Sequence, residues 1–232
     1  GSIEEQAQAV REGRLGAVFN GDSADWHRRM QTVAVEESRL GIPLLFAADV
    51  IHGFRTIFPV PLAEAAAFDA NLAKRTARAA AEEATAVGLA WNFAPMVDIS
   101  RDARWGRGVE GAGEDVLLGC TLAVARVGGF QGEAGLSDVG AMLATPKHLA
   151  GYGAGAGGLD YNSVDVSERT LREIHFPPFQ AAFDAGALST MAAFNEVAGV
   201  PAHANPWLMK DVLRGEWGFE GFVVSDYTGD FE

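Results

Sequence analysis

Gly221-Phe222-Val223-Val224-Ser225-Asp226 is an apolar run that stops on a carboxylate. A short stretch rich in Val and Phe and opened by glycine reads as a buried β-strand. An ionised aspartate does not sit deep in an apolar core without a partner, so Asp226 marks the point where this strand leaves the core. Position alone leaves its role open between a catalytic group and a helix N-cap or salt-bridged structural acid.

The same arrangement repeats upstream. Apolar runs from Leu15 to Phe19, Pro43 to Ala48, Leu89 to Met96, Val139 to Thr145 and Leu188 to Ala193 are followed by Asn20, Asp49, Asp98, Lys147 with His148, and Asn195. Amphipathic stretches lie between them. Helices are predicted from Ile3 to Glu12, about Ser23 to Arg39, and Ala70 to Val87 with Gly88 as the stop. Others run from about Asp115 to Gln131, from Ser167 towards Gly186, and from Asn205 to Trp217, with Asn205 as N-cap and Pro206 at the first helical position. Alternating strands and helices fit either an open doubly wound sheet or a closed barrel. Chemically capable residues collected at the carboxyl ends of many strands favour the barrel, whose top face is built that way. The expected fold is a TIM-like (β/α)8 barrel, with about six strand and helix units within residues 1–232 and the remaining strands outside them.

Composition narrows the function classes. The 232 residues are 48% hydrophobic, enough for one sizeable core and one large domain. A formal charge of -13, with no basic stripe, argues against a nucleic-acid partner and makes an uncharged substrate the easier fit. No apolar run approaches the roughly 20 residues of a membrane-spanning helix, so no membrane partner is expected. Cys120 is the single cysteine, which rules out an intrachain disulfide, a cysteine-based zinc site and a redox pair. Gly1-Ser2 reads as a tag-cleavage scar without a signal-peptide pattern, and the chain stops at Asp230-Phe231-Glu232 soon after an apolar strand, so a piece of a longer polypeptide is expected.

The strand-end residues carry the candidate chemistry. Asp49 can accept two hydrogen bonds from vicinal sugar hydroxyls. Lys147 and His148 can grip hydroxyls, or the lysine can hold a neighbouring aspartate ionised. No second histidine stands at ligand spacing, and no metal is expected. The loop from Asp98 to Asp115 packs acids, bases, glycines and one tryptophan together. Arg107 offers a guanidinium fork to hydroxyls and Trp105 an apolar face to a pyranose ring, while Asp98, Arg101, Asp102 and Arg104 are expected to pair among themselves. Glu114 and Asp115 are expected to stabilise the start of the following helix. His52, His175 and His203 read as structural, and Trp91 and Trp217 as packing residues.

Taken in order, Ala-Ala-Asp-Val-Ile-His-Gly (47–53), Ala-Pro-Met-Val-Asp (94–98), Arg-Trp-Gly-Arg (104–107), Glu-Gly-Ala-Gly-Glu-Asp (110–115), Pro-Lys-His-Leu-Ala-Gly-Tyr-Gly (146–153) and Val-Val-Ser-Asp-Tyr (223–227) resemble the barrel domain of glycoside hydrolase family 3 β-glucosidases. The resemblance covers essentially the whole chain. It implies a retaining, exo-acting β-glucosidase that acts on β-glucosides and cello-oligosaccharides, as in cellulose degradation, without a cofactor. It implies Asp226 as nucleophile, with Asp49, Arg107, Lys147 and His148 binding the terminal glucose, Met191 as an apolar contact below it, and Lys147 helping to keep Asp226 ionised. Phe194 stands where related enzymes commonly carry tyrosine.

The proton donor is the gap. In the branch that cleaves N-acetylglucosamine a histidine on the loop after Lys-His serves, but Asn162 stands where it is wanted. In the glucosidase branch a glutamate from a second domain serves, so a second α/β domain carrying the acid/base is expected beyond residue 232. A periplasmic or secreted location is expected. The competing readings are a family 3 β-xylosidase or other exo-glycosidase, a non-catalytic carbohydrate-binding relative, and a metal-dependent barrel enzyme using Asp49, Asp98 and Asp226.

Overall fold

The computed structural model describes residues 3–21 and 23–227. Each predicted strand contains a ladder strand: β1 Ala17–Phe19, β2 Leu45–Ala48, β3 Trp91–Asn92, β4 Leu143–Ala144, β5 Ser189–Ala192 and, last, β8 Phe222–Ser225. Two additional strands, β6 Glu196–Val197 and β7 Val200–Pro201, form an antiparallel hairpin after β5. It turns through Ala198 and Gly199, both at positive φ, 53° and 78°.

β1 to β4 form one parallel sheet in chain order, and β5 pairs in parallel with β8. Residues beyond β4 join the two: Leu149 donates its N–H to Met191 O at 2.7 Å and its carbonyl accepts from Ala193 N–H at 2.7 Å. Lys147 is likewise bridged to Met96, carrying the β3–β4 pairing up to the site. The parallel strands therefore stand side by side in chain order, with no reversal of the kind a doubly wound sheet requires. The sheet also curls. Phe19, at the end of β1, lies 6.4 Å from Tyr227, just after β8, and Trp91 lies 5.1 Å from Phe222 across the interior. Rings from the first and last strands meet only if the sheet wraps round, which is the (β/α)8-type barrel read from the sequence.

Ala47, Trp91, Phe93, Leu143 and Met191 pack together inside the barrel. The Trp91 indole N–H is satisfied there by Thr145 Oγ1 at 2.8 Å and Ser189 Oγ at 3.3 Å, so the polar groups in this core are paired rather than stranded. Outside the sheet lie the helices, among them α1 Ile3–Arg11, α2 Ala24–Thr32, α3 Pro61–Ala65, α4 Ala70–Thr85 and α5 Val116–Gln131. The buried stripe of α4 is Ala73, Ala77, Ala80, Ala81 and Ala84, at helical spacing. Small side chains let α5 come close. A Cβ added at Gly129 would lie 2.5 Å from Lys74 O, which explains the glycine.

Helix ends follow the sequence closely. Asp69 caps α4, Gly88 with φ of 95° follows it, and Ser167 and Asn205 cap the helices predicted to start at them by accepting the N–H groups of Thr170 and Leu208. Asp115 caps α5 by accepting the Leu118 N–H at 2.7 Å. Replacing Asp115 by alanine is expected to lower stability by about 1 kcal/mol. Thermal unfolding of the full-length polypeptide should show a midpoint lower by about 2–4 °C.

Three predicted helices differ in form. The stretch from Ser167 to Gly186 is broken into turns at Glu168–Thr170 and Leu171–His175 and a separate helix, Pro177–Asp184. Pro177 has no N–H to continue the ladder, so the break falls where the chemistry puts it. The stretch from Ser23 becomes α2 followed by a wider π-turn at Val33–Glu37, and Trp207–Glu216 is also wound as a π-helix.

Candidate active site

The strand-end residues converge at the carboxyl end of the barrel. Lys147 is only 3% exposed, and its ammonium donates to Asp49 Oδ1 at 2.8 Å. The Asp49 side chain is 46% exposed, so its remaining lone pairs face the barrel mouth. The lysine therefore serves Asp49. Lys147, expected to help keep Asp226 ionised, is paired with Asp49 instead, and the side chain that reaches Asp226 is His148, with Nε2 3.5 Å from Oδ2.

His148 is 1% exposed and held by Asp98, itself 2% exposed. Asp98 Oδ2 accepts both the His148 backbone N–H at 2.9 Å and Nδ1 at 2.8 Å. A carboxylate on Nδ1 fixes the tautomer, leaving the Nε2 lone pair to accept from Arg107 Nη2 at 3.1 Å. This corrects the expected pairing of Asp98 within its own loop. Only Asp102 and Arg104 pair there as predicted, at 2.6 Å.

Arg107 donates through Nε and Nη2 to Glu110 at 2.8 and 3.1 Å, and its guanidinium lies 5.6 Å from the centre of the Tyr152 ring. Burial by itself would lower its pKa; hydrogen bonding and charge from Glu110, with Tyr152 and Asp98 nearby, raise it instead, so the guanidinium stays charged. Glu110 was not singled out from the sequence, although the three-residue spacing from Arg107 is visible there.

Trp105 is 3% exposed, lies edge-to-face against Tyr152 at 5.3 Å, and donates its indole N–H to Asp160 Oδ1 at 2.8 Å. It has no open face for a sugar ring, so the expected stacking platform is corrected to a residue that packs the wall of the site. Asp160 Oδ1 also accepts from the Tyr152 hydroxyl at 2.7 Å. Burial works to raise the Asp160 carboxyl, but the hydrogen bonds from Trp105 and Tyr152 outweigh it and hold the group below its usual value. Tyr152 shows the converse: burial, then its bond to Asp160, push the phenol above its ordinary value. Met191 lies within the barrel, 5% exposed, packed with Ala47, Trp91, Phe93 and Leu143.

Asp226 is placed differently from the other acids. Oδ1 accepts the Tyr227 N–H at 2.7 Å, while Oδ2 is buried and has no hydrogen-bond partner among the described residues. Asp49 and Asp98 are committed to Lys147 and His148, which leaves no trio of free carboxylates for the metal-dependent reading. Among the described residues no three His, Cys, Asp or Glu side chains are grouped to hold a metal ion. His52 bonds Phe58 O through Nδ1 at 2.9 Å, a structural role. A groove of about 570 Å³ lies apart from these groups, lined by residues including Phe58, Leu72, Arg75 and Glu82.

Residues 2–230 match the Glycosyl hydrolase family 3 N terminal domain. The chain belongs to that family. A periplasmic β-glucosidase of Salmonella typhimurium is 44% identical over 220 residues, covering 95% of this chain and 29% of that protein. A β-xylosidase of Formosa agariphila is 39% identical, covering 83% and 28%. The crystal structure of a mutant β-glucosidase from Listeria innocua in complex with laminaribiose superimposes with a TM-score of 0.91 at 44% identity, over 93% of this chain and 30% of that one. The chain thus spans under a third of these glycosyl hydrolase family 3 relatives. Among its described residues no helix is long and apolar enough to cross a membrane.

Proposed function

We propose that this chain is the nucleophile-bearing, sugar-binding part of a retaining, exo-acting β-glucosidase. The observation that carries the reading is Asp226 Oδ2, a carboxylate oxygen at a strand end that is buried, lies 3.5 Å from His148 Nε2 and has no hydrogen-bond partner among the described residues. Desolvation without a hydrogen bond leaves its lone pair available to an electrophile. Asp49, Lys147, His148 and Arg107 form a polar rim around it suited to vicinal hydroxyls of a terminal glucose.

Asp226 Oδ2 bonds to the anomeric carbon as that carbon's bond to the departing oxygen breaks, and a second carboxylic acid gives that oxygen its proton. Water then attacks the same carbon, the ester bond to Asp226 breaks, and the water's proton passes to the second carboxylate, so configuration is retained. The two carboxyl groups of such a pair stand about 5 Å apart. We place the second on an α/β domain of the same polypeptide beyond residue 232. The substrates are β-glucosides and short cello-oligosaccharides, and the site of action is periplasmic or secreted, in keeping with the Salmonella relative.

The similarity to a β-xylosidase supports one competing reading. Release of nitrophenol from aryl β-glucoside and aryl β-xyloside by the full-length polypeptide separates the cases. Faster turnover of the glucoside is expected; a preference for xyloside would reassign the sugar, and no release from either would leave a carbohydrate-binding protein.

A further inference from the structure

The loop from Gly151 to Ser163 carries a feature that the reading above does not use. Tyr161 is 66% exposed and adopts φ of 61°, a left-handed conformation that is unfavourable for a bulky side chain. Neither property is a gain in packing, so the loop presents this ring outward at a cost. Its placement is nonetheless fixed. Tyr161 follows Asp160, which Trp105 and Tyr152 anchor, and the loop closes on itself through Ala156 N–H to Ser163 O at 2.9 Å and Asn162 Nδ2 to Ala156 O at 2.9 Å.

The ring is also backed. Phe194, just after β5, meets it edge-on at 5.0 Å, and Tyr152 lies 6.3 Å away. Tyr152 in turn is 5.1 Å from His148, whose Nε2 is 3.5 Å from Asp226 Oδ2. A line of rings thus runs from the buried end, where Tyr152 is 1% exposed, out to an open ring at the rim. A hexose presents an apolar face of C–H groups, and an exposed ring with firm backing is the surface that takes it.

We propose that Tyr161, backed by Phe194, is a platform for the leaving-group sugar of an oligosaccharide whose terminal glucose is held over Asp226. The inference rests on the glucosidase reading and adds a determinant of aglycone preference to it. The ring supplies the contact, and the phenol hydroxyl is dispensable.

Tyr161→Ala and Tyr161→Phe in the full-length polypeptide test it, with cellobiose and laminaribiose compared against methyl β-glucoside, whose leaving group has no sugar face. Tyr161→Ala should lower kcat/KM for at least one disaccharide about tenfold, mainly through KM, and leave methyl β-glucoside within about twofold. Tyr161→Phe should stay near the unaltered protein on all three. Equal losses on disaccharide and methyl glucoside, or no loss on either, would overturn the platform while the glucosidase reading stands. Absence of turnover by the unaltered polypeptide would overturn that reading and the platform with it.

Discussion

Asp226→Asn in the full-length polypeptide is expected to lower kcat for an aryl β-glucoside on the order of 10³-fold or more, with little change in ground-state binding of glucose. The amide is nearly isosteric, so the contact from Tyr227 N–H survives, but its oxygen is too weak a nucleophile to form the ester. A mechanism-based fluoro-sugar with a good leaving group should label the unaltered protein on Asp226, as read by mass spectrometry, and leave the variant unlabelled. A label on another residue, or an asparagine variant with near-normal kcat, would remove Asp226 from the nucleophile's role. The size of the effect follows from the arrangement: Asp49 is ion-paired to Lys147 and Asp98 is held by His148, so neither of these strand-end carboxylates is an equivalent of Asp226.

The largest expected effect on stability lies away from the chemistry, at Glu64 and Arg126. Both are buried, at 5% and 7% exposure, and joined by an ion pair, with Thr76 Oγ1 also donating to the Glu64 carboxylate. Burial pushes the Arg126 pKa down and the Glu64 charge opposes that shift. Among the described residues, Glu64→Ala leaves a guanidinium in the core with a single remaining hydrogen-bond partner, the Ile51 carbonyl at 3.2 Å. The expected loss is about 3–5 kcal/mol, because the stranded cation keeps its desolvation penalty and loses its compensation. Replacing both residues, Glu64→Leu with Arg126→Met, should recover most of that loss, since the penalty is removed with the charge. Chemical denaturation of the three proteins decides this; a Glu64→Ala variant as stable as its parent would show the pair to be solvated. Ile51 lies two residues beyond Asp49, so the single substitution should also weaken sugar binding.

Much of the candidate site was legible because the rules that mark it are local. Asp226, Asp49 and the Lys147-His148 pair stand where apolar strands end, and Ser167, Asn205 and Asp115 stand where helices begin, so neighbouring residues suffice to find them. Pairings were not legible. Lys147 and Asp49 are 98 residues apart and His148 and Asp98 are 50 apart, so nothing in the local pattern states which aspartate each cation holds. Trp105 was misplaced for the same reason: a tryptophan among glycines and charges reads as exposed until Tyr152 and Asp160 close over it. The β6–β7 hairpin left only a weak signal: Gly199 suits the positive φ that its two-residue turn requires, but Ala198, also at positive φ, does not.

By itself the sequence determined the alternation of strands and helices and the caps at which several helices begin, because these are decided by hydrogen-bonding and solvation needs within a few residues. Only the tertiary structure decided that the parallel strands stand in chain order and curl until Phe19 meets Tyr227, that Lys147 belongs to Asp49, and that Asp226 Oδ2 is buried without a hydrogen bond among the described residues. Those outcomes depend on which distant groups share a dry space, where a charge takes the partner that geometry offers.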